Sequence, residues 1–446
     1  MSFLVSPGVR VREIDLTNVV PAVATSIGAI ASAFEKGPVG SIVNITSEEE
    51  LIQIFGKPQN DSNQFENFFT AANFLGYTDA LKVVRVESGI TNATANGAGL
   101  LIRDDDHYDN DFDNGQASVG EWTARTAGTH GNAIGVSICA SATAYEQSAV
   151  TTTSATEAAG QTVISVTSES GFQIRDIVRF GTDTQEYRVT ATATGTITIE
   201  ALNQPAGTGL VSTVANSTQV HRYWEFYNLF DKAPGTSASA TAASGSADEI
   251  HVVVVDEDGV ISGKQHEVLE TYGFVSCASD SKDASGSSNY YKTKINNQSD
   301  WIWWTGHSTS THPAANSVHT HALSGSTAFG RPSAPINSSL ADGADGADVS
   351  PADKYGGYVD YFGDAETQDI SFLVVGSTRT SNGDLLTDHN TIVNQLIQVA
   401  ENRKDCMVIA SPRRASVVNV ASESTLSSNV VADYASVTSS SYAVLD

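Results

Sequence analysis

Cations are scarce in this chain. Lysine and arginine together number 24, against 51 aspartates and glutamates, giving a formal net charge of −27 over 446 residues. Such a chain repels phosphate backbones, and no Lys/Arg-rich run offers a local exception, so direct nucleic-acid binding is disfavoured. Anionic membrane surfaces are disfavoured for the same reason. Cysteine is scarcer still. Cys139, Cys277 and Cys406 are far apart and odd in number, and each lies in or beside an apolar run. They read as small buried hydrophobes, not as a disulfide frame or a zinc site, which suits folding in a reducing compartment. Long apolar runs are missing. Stretches such as Val252 to Val255 are far too short to span a bilayer, and the first residues lack the basic, apolar, small-residue order of a signal peptide.

What remains is a chain with 40% hydrophobic and 17% charged residues, able to bury a core and long enough for roughly two to four domains. Its polarity comes from Ser, Thr, Ala, Gly, Asn and Asp, which favours strands, turns and long loops. The opening "SPGVRVREID" alternates apolar and charged residues from Val9 to Arg12, with Ile14 beyond, and predicts a strand with one buried face. Pro7 and Gly8 precede it as a hinge, and no hairpin signal follows it.

Further on, "TSEEELIQIFGKP" predicts a short helix, because Ser47 and Glu50 have capping-box spacing and Gly56 then Pro58 end it. "SNQFENFFTAANFLGY" predicts a second helix with Phe65, Phe68, Phe69 and Ala72 on one face, and "ALKVVRVES" predicts a strand. The same pattern returns far downstream. "DISFLVVGS" and "CMVIAS" read as buried strands around an amphipathic helix with Ile392, Val393, Leu396, Val399 and Ala400 inward. This is a βαβ unit, expected parallel and right-handed, and "STLSSNVVADYASV" with "SYAVLD" repeats it weakly.

Residues near 148–221 hold short Thr- and Val-rich runs separated by turn residues, which predicts a small all-β barrel or sandwich. "EIHVVVVDEDGVISGKQHEVLETYGFV" predicts strand, tight turn, strand and helix. Gly306 to Asp353 predicts a long structureless stretch. The fold class is therefore an α/β core, a mixed sheet with flanking helices, interrupted by β-rich insertions and preceded by an extended arm. The expected division is an arm over 1–22, a discontinuous core over 23–100 and 365–446, a middle α+β domain over 101–147 and 222–364, and an outer all-β insertion over 148–221.

Candidate chemical sites are few. Asp109, Asp111 and Asp113 have the alternate spacing of a calcium loop, but the glycine and the closing acid each fall one place late, at Gly115 and Glu121. A solvated acidic loop over Asp104–Asp113 accounts for them as well. His307, His312, His319 and His321 cluster, yet no cysteine or acid falls among them, so a polar His-rich loop stands beside a metal site. Asp256, Glu257 and Asp258 precede Gly259 as turn residues would. Arg413 and Arg414 follow a strand, where α/β sheets often place ligands, but there is no Gly-rich phosphate loop, and interface ion pairs are the simpler expectation. No catalytic residue, cofactor site or metal site is assigned, and no enzyme is expected.

Several stretches in order resemble the contractile tail sheath proteins of myovirus-type bacteriophages. They are "SPGVRVREID", "PAVATSIGAIASAFEKGPVGSIVNITSEEELIQIFGKP", "FENFFTAANFLGYTDALKVVRV", "ARTAGTHGNAIGVSI", the passage from "EIHVVVVDEDG" to "YYKTKIN", "YFGDAETQDISFLVVG" and the helix, strand and "SPR" at 391–413. The resemblance implies a structural subunit that stacks with other copies of itself in a helical six-fold sheath around a tail tube protein. Baseplate and tail terminator proteins would bound the sheath, whose contraction drives the tube through the host envelope. It implies a virion component assembled in the host cytoplasm, without direct nucleic-acid contact or membrane insertion. It also implies that Val9, Arg10, Val11, Arg12, Glu13 and Ile14 add a strand to a neighbouring subunit. Sheath proteins usually continue beyond a strand like "SYAVLD" into further helices and strands, so the resemblance leaves open a truncated chain, an incomplete sequence or a divergent short form ending at Asp446. The alternatives are a sheath subunit of a non-phage contractile injection system, a hydrolytic enzyme on the α/β core, and a surface adhesin built on residues 148–221.

Overall fold

A computed structural model describes residues 26–58, 64–86, 88–312, 322–323, 329–346, 349–380 and 382–445. The segment Val9–Ile14, expected to form the linking strand, lies outside the described residues, as do His319 and His321.

The first of three larger sheets has six strands in the order Ile42–Ile45, Leu81–Arg85, Gly28–Ser32, Phe372–Val374, Met407–Ala410, Ala443–Leu445. Every pairing is parallel except that of Ile42–Ile45 with Leu81–Arg85. Both faces are covered. Ile30, Ile45 and Val83 pack with Leu51, Phe55 and Phe68 of the helices Glu48–Phe55 and Gln64–Leu75. Ala29, Ala31 and Leu373 pack on the other side with Tyr358 and Phe362 of Pro351–Phe362 and with Ile392, Val393 and Leu396 of Leu386–Arg403. Burial on both faces explains why these strands read as continuous apolar runs.

The second sheet is antiparallel, ordered Glu267–Ser276, Glu249–Asp256, Ile134–Cys139, Ile336–Ser339. Its core is joined by Trp122 and Trp304, from a two-stranded ribbon of Trp122–Ala124 with Ile302–Trp304, and by Tyr291 and Ile295 of the helix Tyr291–Gln298.

The third sheet is also antiparallel, ordered Glu146–Thr152, Gln219–Tyr223, Ile177–Phe180, Tyr187–Ala193, Thr196–Ala201, Val163–Ser165. Beyond its first and last strands a bridge pairs Thr153 with Val166, with Ser154 N–H donating to Ser165 O and Thr167 N–H to Thr152 O, both at 2.9 Å. It buries its own cluster, including Ile164, Val178, Val189, Ile197 and Val220.

Several sequence expectations change. In Gln64–Leu75 the buried residues are Gln64, Asn67, Phe68 and Ala71, while Phe69 is 48% exposed. The helix is rotated because Asn67 bonds into the sheet: its Oδ1 accepts from Ser377 N–H at 2.9 Å and its Nδ2 donates to Ala33 O at 3.3 Å. The run "HEVLETYGFV" is not a helix but part of the strand Glu267–Ser276, because its backbone completes the ladder with Glu249–Asp256. The turn between these strands is not tight; residues 257–266 form a longer loop. The Asp104–Asp113 segment is not an open loop. It is helical over Asp105–His107 and Tyr108–Phe112, with the Asp104 side chain accepting from His107 N–H at 2.8 Å and Tyr108 buried against Trp303.

The stretch 306–353 is not structureless where it is described. It supplies Ile336–Ser339 and Ala344–Asp345 to sheets and opens the helix Pro351–Phe362. That helix carries Pro351 in its first turn and a capping box of Ser350 with Asp353.

Candidate interaction site

In open α/β sheets, ligands collect at the carboxyl ends of the strands where the strand order reverses. Here the order reverses between Gly28–Ser32 and Phe372–Val374. The chain leaves the second of these strands through Val375, Gly376 and Ser377, with Gly376 at φ 66°, a left-handed conformation that glycine adopts without strain. The protein's own side chains line and narrow this crevice. Asn67 bridges Ser377 and Ala33, as described above. Lys354, only 2% exposed, donates from Nζ to Ser377 O. Glu66 Oε2 accepts from Ser377 Oγ at 2.6 Å, and its Oε1 accepts from Arg414 Nη1 at 3.2 Å. Burial lowers the Lys354 ammonium to about 7, so near neutrality it is charged only in part.

A cavity of about 200 Å³ remains at this position, lined by Glu66, Gly376, Ser377, Arg379, Arg413 and Arg414 among others. The two arginines singled out from the sequence meet partners within the chain. Arg413 donates from Nε and Nη2 to Asp433 at 3.0 and 2.7 Å, from Nη1 to Asp384 O at 2.9 Å and from Nη2 to Ser416 Oγ at 3.2 Å. Burial raises the Asp433 carboxyl, but the hydrogen bonds from Arg413 and Ser416 outweigh it and hold the group below its usual range. Arg414 is more open, with its side chain 47% exposed, and its guanidinium lies over Phe65 at 4.8 Å.

The other candidates resolve into structural roles. Asp105 pairs with Arg125 at 3.0 Å and Asp113 with Lys292 at 2.9 Å, and an Asp111 carboxylate oxygen lies 3.1 Å from His107 Nε2, so both ends of the acidic run are held by basic groups. Among the described residues no group of three His, Cys, Asp or Glu side chains is placed to hold a metal ion. His307 and His312 are buried and stacked at 3.9 Å between centroids, in a box of Tyr290, Tyr291, Trp304 and Phe329. His307 Nδ1 lies 2.5 Å from Tyr291 Oη and its Nε2 lies 3.1 Å from Tyr290 Oη. Asp256 anchors its loop, accepting from the N–H groups of Gly259, Ile261 and Ser262 at 2.9, 3.0 and 2.6 Å. Glu257 accepts from Ser339 Oγ at 2.9 Å, and burial pushes its carboxyl up. All three cysteines are buried and free. Burial pushes the Cys139 thiol up to about 12 and raises Cys277 and Cys406 as well, so none is a ready nucleophile.

Sequence reasoning passed over the side chains that hold the sheets together. Arg85, fully buried, donates to Gly37 O, Ala127 O and Glu35 O at 3.2, 2.6 and 3.0 Å. Arg222 donates to Gly171 O, Thr143 O and Ser333 O at 3.1, 2.6 and 2.7 Å, so it fastens the third sheet to the second. Their only signal was a lone arginine inside an apolar strand, "KVVRV" and "VHRYW". No described helix is long and apolar enough to cross a membrane.

No protein-family profile matches the chain. It is 43% identical to the tail sheath protein of Vibrio phage KVP40 over 93 residues, 20% of this chain and 14% of that protein. It is 35% identical to the tail sheath protein of Enterobacteria phage T4 over 82 residues, 18% of this chain and 12% of that protein. It is 25% identical to the tail sheath protein of Salmonella phage ViI over 316 residues, 68% of this chain and 49% of that protein. Among solved structures, a sheath tail protein from Desulfitobacterium hafniense is 12% identical with a TM-score of 0.36, covering 92% of this chain and 54% of that one. A sheath tail protein from Listeria innocua is 10% identical with a TM-score of 0.30, covering 88% of this chain and 49% of that one. The chain spans about half or less of the length of each curated relative it matches. In sequence, this chain is similar to phage tail sheath proteins.

Proposed function

We propose that this chain is a structural subunit of a contractile tail sheath. It polymerises with other copies of itself around a tail tube, between baseplate and terminator proteins, and contracts to drive the tube through the host envelope. It acts in the virion after assembly in the host cytoplasm. The observation that carries this reading is the likeness to tail sheath proteins of three phages, one of them over 68% of the chain.

Within this reading, residues 23–100 and 365–446 form the sheath core, 101–147 and 222–364 a middle α+β domain, and 148–221 an outer all-β insertion. Residues 1–22 form an arm whose Val9–Ile14 strand joins a neighbour's sheet. Arg413 and Arg414 lie near subunit contacts, where Arg414 is the more open of the two. Electron microscopy of the purified full-length chain should show tubular polymers, and deletion of Met1–Val20 should abolish them while circular dichroism stays unchanged. Normal tubes after that deletion refute the arm, and a chain that stays monomeric at high concentration refutes the sheath reading.

A further inference from the structure

A second cavity, of about 270 Å³, opens where the helix Glu48–Phe55 meets the 257–266 loop and Trp301. Its mouth carries Lys36 and Lys57. Glu35, the nearest acid, is tied to the backbone: its Oε2 accepts from Lys57 N–H at 2.7 Å, and its carboxylate lies so close to Gly56 that a Cβ there would meet Oε2 at 2.3 Å. Gly56 itself sits at φ 87° as the helix cap, and Lys36 N–H donates to Phe55 O at 3.3 Å. The loop and the helix end are thereby clamped, with two ammonium groups held on one notch. Neither ammonium makes an ion pair with a carboxylate among the described residues. Lys57 is exposed, and Val260 beside it is 66% exposed. In a chain with 51 acids and 24 bases, two cations that share one notch with a single carboxylate, Glu35, and make no ion pair among the described residues are an exception that asks for a partner.

We infer that the Lys36–Lys57 notch is a contact surface for exposed carboxylates of a second copy of this chain. The inference rests on the proposed self-assembly and adds where one contact lies. Charge complementarity selects the occupant, since any neighbouring copy presents mainly carboxylates, and the lysine stems with Val260 and Trp301 supply apolar cover around the ion pairs. Contacts of this kind weaken with salt because the charges lie near solvent.

The test uses the full-length chain and its Lys36→Glu, Lys57→Glu double variant, compared by sedimentation velocity and electron microscopy at low and high salt. The double variant should associate about tenfold more weakly at low salt, with the gap closing at high salt. Carbodiimide treatment of wild-type assemblies should link Lys36 or Lys57 to an aspartate or glutamate of another copy, identified by mixing isotope-labelled and unlabelled chains. Wild-type assemblies with no such link, together with unchanged association of the variant, overturn this contact and leave the sheath reading standing. Wild-type protein that never associates overturns both.

Discussion

Along Gly28–Ser32 every residue is buried, whereas along Thr196–Ala201 only Ile197, Ile199 and Ala201 are. The first strand is the middle of a parallel sheet sandwiched by helices; the second belongs to an antiparallel sheet with one face toward its own small core. The parallel sheet is also assembled from distant parts of the chain, since Gly28–Ser32 pairs with Phe372–Val374. The antiparallel sheet is closed within residues 146–223. One region depends on long-range closure and on polar side chains that tie loops across the chain, the other on neighbouring strands. The two should therefore differ in what breaks them and in how they respond to pH.

The largest effect should come from Arg222, which fastens the self-contained antiparallel region to the segments beside the second sheet. Arg222→Ala leaves three carbonyls of different segments without their donor, and should cost about 4 kcal/mol in urea unfolding. Hydrogen exchange read by mass spectrometry should show residues 146–223 opening apart from the parallel sheet. Uniform exchange in the variant would mean that the sheets melt as one. Next, Leu396→Ala should cost about 3 kcal/mol, because Leu396 is fully buried in the parallel-sheet core. Its loss should raise exchange in Phe372–Val374 and Met407–Ala410 while Thr196–Ala201 keeps its protection.

The pH responses should have opposite signs. Lys354 has a folded value of about 7 against an ordinary 10.5. Between those values the unfolded chain holds more protons, so the lysine's penalty is absent above 10.5, grows as pH falls and is complete below 7. Lys354→Met should therefore stabilise the parallel-sheet region at pH 7 by about 2 kcal/mol, after the lost bond to Ser377 O is counted, with little gain near pH 10.5. Asp176, in the antiparallel region, is raised to about 7 from 3.8, chiefly by burial. There the folded chain holds more protons, so its penalty is absent below 3.8 and grows as pH rises to 7. Asp176→Asn, which can still accept from Gln173 N–H, should add about 1 kcal/mol at pH 8 and nothing at pH 3. Denaturant titrations of both variants across pH check the pair. Slopes of the same sign would erase the contrast between the regions.

How far the sequence was readable follows from what kind of signal each element carries. The helix Leu386–Arg403 buries the five residues its period named, because burial of one stripe decides its orientation. Ser47 does cap Glu48–Phe55, accepting from Glu50 N–H at 3.2 Å, though Glu50 turns to Thr46 N–H at 2.8 Å and leaves the box half made. The face of Gln64–Leu75 was misread, because Asn67 and Gln64 look polar and Phe69 looks apolar, and only contact with Ser377 and Ala33 inverts that order. His307 and His312 do lie in a loop, but buried rather than polar and open: imidazoles can be core when Tyr290 and Tyr291 supply the hydrogen bonds of His307, and Thr311 and Cys277 O those of His312.

Local pattern alone determined the buried strands, the amphipathic helices, the turn-rich all-β region, the acidity and the absence of a Gly-rich phosphate loop. Those properties are set by neighbours a few residues away or by simple counts. Tertiary structure decided the rest. It alone places Phe372–Val374 beside Gly28–Ser32, lines the crevice between them with Asn67 and Lys354, and brings Lys36 and Lys57 to one notch without an ion pair among the described residues. The physical reason is that the worth of a polar side chain depends on which distant groups surround it. A periodic apolar stripe needs only a water-free surface, whichever one folding provides.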